Sequence, residues 1–346
     1  MGIFSFFARG KGSFFSTSMA IDLGTANTLV YTKGRGIVLE EPSVVAIERE
    51  TGDVVAVGRE AKAMLGRTGG ALEAIRPLKD GVITNATATM AMLRAFFERA
   101  QSSRVSMRPR VLVCVPSGIT EVEVSAVRNA LERAGAREVF LVSEPIAAAV
   151  GVGLPVSRPV GNMVVDIGGG TTEIAVISLS TIAANNSIRI GGDEMNEAIA
   201  SYLKKHYSLL VGDRTAETVK LRLGTVLESD DRVMEVSGLD FVNGIPRTYP
   251  IRSSDVRESL QEPVAAITEA LRHGLERTPP ELASDIVDRG IVLTGGGSTL
   301  RGIANLLSSE TGLPIRVADN PFSCTVLGAG IILEDIYTYR KLLLEG

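Results

Sequence analysis

Asp22-Leu-Gly-Thr-Ala-Asn-Thr28 and Asp166-Ile-Gly-Gly-Gly-Thr-Thr172 stand 144 residues apart and share Asp, Gly and Thr at three matched positions. Each follows a short apolar run, Met19-Ala-Ile21 or Met163-Val-Val165, and precedes an alternating or apolar run, Thr28 to Thr32 or Thr172 to Ser178. That pattern predicts a Gly-rich turn joining two strands of a hairpin in both places. Glycines in such turns let backbone N–H groups approach an anion, Thr hydroxyls add donors, and the Asp carboxylates suit a hydrated metal ion. One copy alone is an ordinary hairpin with an acidic residue. Two copies facing each other would clamp the phosphates of a single Mg-nucleotide.

A third run, Thr294-Gly-Gly-Gly-Ser298, follows the apolar stretch Ile291-Val-Leu293 and is expected to open a helix from Thr299 to Thr311. A nucleotide would there rest on backbone amides at a helix N-terminus. None of the three runs has the P-loop spacing G-x-x-x-x-G-K-[ST], and none completes G-x-G-x-x-G before a helix, which disfavours the common nucleotide folds.

The surrounding chain is of ordinary globular composition, 45% apolar and 22% charged, and its 346 residues suffice for two domains with their own cores. A net charge of −4 with no basic block argues against nucleic acid as a partner. Two cysteines, Cys114 and Cys324, do not make a disulfide scaffold and suit a reducing compartment. Neither His206 nor His273 belongs to a ligand motif. The amino end is different: Ile3, Phe4, Phe7, Phe14 and Phe15 share an arc of about 120° on a helical wheel, with Arg9 opposite. This is the pattern of a helix lying in a membrane surface, where each buried Phe contributes roughly 1.5–3 kcal/mol. Gly10, Gly12 and Lys11 oppose it, and a disordered leader is the alternative. No run of 18 apolar residues is present to span a bilayer.

The first Gly-rich turn leads into strand patterns at Ile37–Leu39 and Pro42–Ile47, a helix from about Thr87 to Gln101, a strand at Val111–Val115 and a helix opened by Thr120-Glu-Val-Glu123. A strand at Val139–Val142 then meets the helix start Ser143-Glu-Pro-Ile-Ala-Ala-Ala149. The second half repeats this α/β plan. Its helices are expected from Asp193 to Leu210, Thr215 to Leu223 and Ser254 to Arg277, around a more polar strand region, Val233 to Ile251, that reads as an inserted subdomain. The apolar segment from Val326 is expected to be helical and to pack back on the first lobe.

With these residues in place, the chain resembles the actin-superfamily ATPases over roughly Met19 to Glu334, and within them the MreB family of bacterial cell-shape proteins. Five motifs occur in family order. Besides the three Gly-rich runs, they are Ser143–Ala149 and Val326-Leu-Gly-Ala-Gly330, which are similar to the family's two hinge segments. Strings such as Glu41-Pro-Ser-Val-Val45 and Ile75-Arg-Pro-Leu-Lys-Asp-Gly81 resemble the MreB family in particular.

The resemblance implies an α/β actin-like ATPase fold: two related, duplicated ribonuclease-H-like lobes with a nucleotide cleft between them and small inserted subdomains. It divides the chain into a membrane-targeting segment 1–18, lobe I at 19–150 with a subdomain near 38–70 and completed by a helix at 326–346, and lobe II at 151–325 with a subdomain near 191–251. It further implies ATP, or GTP, with Mg²⁺ held by Asp22 and Asp166 through water. Gly24, Thr25, Ala26, Asn27, Gly168, Gly169, Gly170 and Thr171 would contact phosphates, while Glu144 and Thr171 would position an attacking water. Glu217 and Lys220 would meet ribose and base, and Gly295, Gly296, Gly297 and Ser298 the adenosine. The implied partners are further copies of the chain, the inner-membrane lipid surface, and membrane proteins of cell elongation and peptidoglycan synthesis, with the protein peripheral on the cytoplasmic face. Family members often carry a bulky apolar pair in a loop that here reads Arg104-Val-Ser-Met-Arg108, which leaves Val105 and Met107 as the second lipid contact. A small-molecule kinase on the same scaffold is the competing reading, and no acceptor-sugar motif supports it.

Overall fold

Both Asp/Gly/Thr stretches turn between antiparallel strands, as their apolar flanks require. This is seen in a computed structural model that describes residues 18–101 and 108–344. The expected lipid-facing residues Ile3, Phe4, Phe7, Phe14, Phe15, Val105 and Met107 lie outside the described residues.

In the first sheet, Ser18–Leu23 pairs antiparallel with Asn27–Thr32, which pairs antiparallel with Gly36–Pro42. On its other side Ser18–Leu23 runs parallel to Arg110–Val115, and Glu138–Ser143 follows in parallel. The second sheet repeats the order: Thr181–Ile188, Thr172–Ser178, Asn162–Ile167, Ile291–Thr294 and Ile315–Val317. In each, the strand carrying the aspartate is central and its apolar residues are buried, which explains its continuous apolar run.

One face of the first sheet, with Met19, Ile21, Val111 and Val113, packs on the helices Ala86–Ala100 and Glu121–Ala134 through Met92, Leu93, Phe96 and Leu131. The latter helix starts with the expected capping box, Thr120 with Glu123. The opposite face belongs to a core shared by both sheets. Ala20, Leu112 and Val142 from the first, and Val164, Ala175 and Ile177 from the second, enclose the helices Glu144–Gly151 and Cys324–Glu334. These helices touch backbone to backbone: a Cβ on Gly328 would lie 1.8 Å from the Ala147 carbonyl oxygen, and one on Gly151 2.0 Å from that of Cys324. Two small three-stranded sheets, one built around Val45–Glu48 and one around Val233–Asp240, and a two-stranded pair, Leu78–Lys79 with Val82–Ile83, are added to these.

Three helices are shorter than expected. The helix from Gly192 stops at Tyr207, because Ser208 takes a left-handed φ of 52° and Leu209–Leu210 pairs as a strand. Ser254 to Arg277 is two helices, Ser253–Ser259 and Gln261–Glu276; Pro263 has no N–H to offer the carbonyl of Ser259, so the ladder breaks there. The expected helix at 326–346 is Cys324–Glu334, followed by a turn in which the Asp335 carboxylate accepts from the Thr338 N–H at 3.2 Å and hydroxyl at 2.6 Å. The tail still returns to the first sheet, where the Leu344 N–H donates to the Leu141 carbonyl. Among the described residues no helix is long and apolar enough to cross a membrane.

Candidate functional site

The two turns meet. A Cβ built on Gly169 would stand 2.8 Å from Ala26 Cβ, and one on Gly170 would stand 3.1 Å from the Asp80 nitrogen and 3.2 Å from Thr25 Oγ1. Only glycine allows this approach. Each turn is braced from behind. Ser43 Oγ donates to the Gly24 carbonyl at 2.6 Å and lies 2.9 Å from Thr28 Oγ1, while Thr25 Oγ1 accepts from the Gly81 N–H at 3.0 Å. On the other side the N–H groups of Gly192 and Asp193 donate to the carbonyls of Gly168 and Gly169, at 3.0 and 2.7 Å.

Between the turns lies a cavity of about 350 Å³. Asp22, Gly24 to Asn27, Glu144, Asp166 and Gly168 to Thr171 line its inner end; Glu217, Lys220 and Gly295 to Gly297 line the remainder. Ser298 is the one expected site residue that does not: it is buried, and its hydroxyl donates to the Gly295 carbonyl at 2.7 Å, closing the turn on itself. The glycine run opens not an α-helix at Thr299 but a 3₁₀ turn, Gly296–Thr299, and the helix waits until Ile303, after Gly302 at φ 83°. A ligand there meets a glycine turn rather than a helix N-terminus. This turn packs on the second hairpin, since a Cβ on Gly297 would fall 2.2 Å from Ile167 Cγ2.

Several wall residues were not found in the sequence. Leu221, Leu300 and Phe322 supply an apolar wall, and Gly81, Asp193, Asn196 and Thr325 add polar groups. They come from separate segments and share no local pattern. The signals in the sequence are Gly81, which ends the string Ile75–Gly81, and the doublet Gly191-Gly192, with Gly192 on the wall.

Acidic groups crowd the inner end. Burial, and then the charge of Asp166, pushes the Asp22 carboxyl up to about 7. Asp166 rises to about 6 through burial and then Glu173, against a hydrogen bond from the Thr325 hydroxyl at 3.3 Å. Glu144 is pushed well above the carboxylate range by burial first, then by Asp22, Glu173 and Asp166. Asp166 Oδ1 is buried with no hydrogen-bond partner. Like charges held this way favour a cation in the cavity. Among the described residues no three His, Cys, Asp or Glu side chains are grouped to hold a metal by themselves. The pair Asp22 and Asp166, with Asp166 Oδ1 unpartnered, fits Mg²⁺, which keeps several waters and takes one or two carboxylates plus substrate phosphates.

Ion pairs join the two lobes at Glu217 and Asp193 of the cavity wall. Lys62, in the helix Arg59–Met64, reaches the Glu217 carboxylate at 2.8 Å; Arg76 reaches Asp193 at 2.9 Å and Asp213 at 2.8 Å. Lys220 Nζ donates to the Gly192 carbonyl at 2.5 Å.

Comparison with known proteins gives the chain's relatives. The family described as MreB/Mbl protein matches residues 16–341. The chain is 52% identical over 328 residues to the cell shape-determining protein MreB of Escherichia coli K12, covering 93% of this chain and 94% of that protein. It is 50% identical over 323 residues to the cell shape-determining protein Mbl of Bacillus cereus, covering 93% and 97%. Among solved structures, MreB5 of Spiroplasma citri bound to ADP superimposes with a TM-score of 0.88 at 35% identity, over 94% of this chain and 98% of that one. The MamK double helical filament, at 21% identity and a TM-score of 0.77 over 93% and 99%, shares the fold.

Proposed function

The chain belongs to the MreB/Mbl family, and from that premise we propose that it is a membrane-associated, filament-forming ATPase of the bacterial cytoskeleton that maintains rod shape by organising peptidoglycan elongation. The observation that carries this reading is the placement of Asp22 and Asp166, on two matched turns in contact, at one end of a single cavity. A triphosphate held there touches both lobes. Thr25, Ala26 and Asn27 grip it from one side and Gly168 to Thr171 from the other, and the adenosine lies toward Glu217, Lys220 and Gly295 to Gly297. The binding of ADP and AMPPNP by the Spiroplasma relative supports an adenine nucleotide.

Asp22 and Asp166 are the residues that would hold Mg²⁺ through water. Bound there, Mg²⁺ neutralises charge on the phosphate oxygens. Glu144 and Thr171 orient the attacking water, and orientation is most of what the reaction asks of a protein, because its transition state is loose. Loss of the terminal phosphate removes a bridge between the turns and lets the lobe angle relax about the crossed helices Glu144–Gly151 and Cys324–Glu334. Copies of the chain assemble on the inner face of the cell membrane, held by the apolar amino-terminal residues, and organise membrane proteins of the elongation machinery.

The test combines sedimentation with phosphate release on the full chain, with ATP and anionic vesicles. Wild type is expected to sediment in an ATP-dependent way. Glu144→Ala should bind ATP while its phosphate release falls about tenfold or more. A wild type that stays monomeric at every concentration and releases no phosphate overturns the reading.

A further inference from the structure

Glu173 is a buried carboxylate that the mechanism above does not use. It stands directly opposite Asp166 in the register of the second hairpin and opposite Ser187 on the next strand, and only 1% of it is exposed. Burying a carboxylate is costly unless donors replace its hydration. Here three do: the Ser117 N–H at 3.0 Å, the Ser117 hydroxyl, and the Ser187 hydroxyl. Ser187 belongs to the second sheet. Ser117 does not; it follows the first sheet's strand Arg110–Val115 and so comes from the other lobe.

The equivalent position in the first hairpin, opposite Asp22, is Leu29. Filling the space is therefore a task an apolar residue performs in one copy of the same plan, and it does not account for a glutamate in the other. What the glutamate adds is a bond between lobes, and that bond leads to the reacting end of the cavity. Pro116, next to Ser117, packs so closely on Gly81 that a Cβ there would lie 2.7 Å from Pro116 Cγ, and the same Cβ would lie 3.8 Å from Thr171 Cγ2.

We propose that Glu173 is a positioning residue for hydrolysis: by tying Ser117 of the first lobe to the sheet of the second, it fixes the Pro116–Gly81 surface against which Thr171 stands. The proposal rests on the hydrolytic reading above. Glu173 touches neither nucleotide nor water in this account. It acts through Ser117 and Pro116.

A test separates tethering from charge and from folding. Full-length wild type, Glu173→Ala and Glu173→Gln are compared for affinity to a non-hydrolysable ATP analogue, single-turnover phosphate release and thermal unfolding. Gln keeps an acceptor for Ser117 and turns a donor toward Ser187, whose hydroxyl can reverse its role. Glu173→Ala is therefore expected to slow phosphate release about tenfold with analogue affinity within about threefold, and Glu173→Gln to restore release to within about threefold of wild type. If Ala does not fold, Ser117→Ala, which removes the hydroxyl but keeps the backbone bond, is expected to slow release about threefold at unchanged affinity. Unchanged release in Glu173→Ala, or in Ser117→Ala where it stands in, overturns the proposal. An equal loss in Ala and Gln, or a loss of affinity that matches the loss of rate, also overturns it. A wild type without hydrolysis counts against the broader reading instead.

Discussion

The two hairpins are one design used twice, with the same strand order, the same central aspartate and the same Gly/Thr turn, yet they differ in what stands behind the turn. The first is braced by hydroxyls: Ser43 holds Gly24, and Thr25 receives Gly81. The second is braced by backbone from Gly192 and Asp193, at the start of a helix, and by the Thr172 hydroxyl on the Ile190 carbonyl at 2.7 Å. Opposite the aspartate, one copy has Leu29 and the other Glu173. Duplication thus supplied two matched turns in contact, the proposed symmetric grip on phosphate, and divergence behind the turns made one side apolar filler and the other a tether between lobes.

The sharpest way to break the symmetric grip is to push the turns apart. Gly169→Val puts a branched side chain where Ala26 Cβ is already 2.8 Å from the first added carbon, and the nearest obstacles include the Ala26 backbone. Nucleotide affinity is expected to fall at least 100-fold, because both sides of the triphosphate site are displaced at once. Gly69→Ala, at a position with open space and no left-handed φ, is the control and should bind as wild type. Calorimetric titration with the nucleotide reads both. Normal affinity in Gly169→Val would mean that the contact between turns is not needed for binding.

How much of this was open to sequence reading follows from the range over which each feature is encoded. The turns, the aspartates and the capping box Thr120–Glu123 are local patterns with their own mechanics, and each forms as expected. Glu173 lies one residue beyond the second turn, inside an apolar strand, and sequence alone shows nothing of Ser117, 56 residues away, that makes its burial tolerable. Phe322 is likewise brought to the cavity, and Lys62 and Arg76 to the carboxylates Glu217 and Asp193 on its wall, by packing between distant segments. Ser298 is ambiguous for the opposite reason. A Ser after three glycines suits a ligand site, but it equally suits closing a 3₁₀ turn, and local pattern does not separate the two. The helix end at Ser208 carries no glycine to announce it, which is why the expected boundary ran on to Leu210.

A second contrast lies beside the cavity, where the first lobe offers the cations and the second the carboxylates: Lys62 to Glu217, and Arg76 to both Asp193 and Asp213. Arg76 is only 21% exposed, so its pairs are screened less than surface pairs, and it bridges the starts of two helices. Arg76→Ala is expected to speed nucleotide release by about fivefold, and Lys62→Ala by about twofold, since it loses one pair instead of two. Stopped-flow displacement of a fluorescent nucleotide gives both rates. If the pairs close the cavity, the wild-type rate should also rise with ionic strength while that of Arg76→Ala responds less. A salt-independent rate would place the barrier to release elsewhere.

The smallest expected effect compares the two helix starts that carry a glutamate at the third position. Glu123 accepts from the Thr120 N–H at 2.8 Å and its hydroxyl at 2.7 Å, and these bonds hold its carboxyl below the ordinary value. Glu194 accepts from the Gly191 N–H at 2.7 Å, but its burial outweighs that bond and raises it. The pH dependences therefore have opposite signs. The ionised Glu123 contributes stability that is complete above 4.5, the unfolded value, and is lost as pH falls through the lower folded value. Glu194 is favoured in its protonated form by the fold, so its contribution is present below 4.5 and is lost as pH rises through the higher folded value. Because Glu123 is largely exposed, solvent screening reduces its share to about 0.3 kcal/mol. Loss of the whole cap in Thr120→Ala is expected to cost about 1 kcal/mol. Urea unfolding of Glu123→Gln and Glu194→Gln from pH 4 to 7 should show the first losing ground to wild type as pH rises and the second gaining it. Parallel curves would mean that the two helix starts sit in equivalent environments.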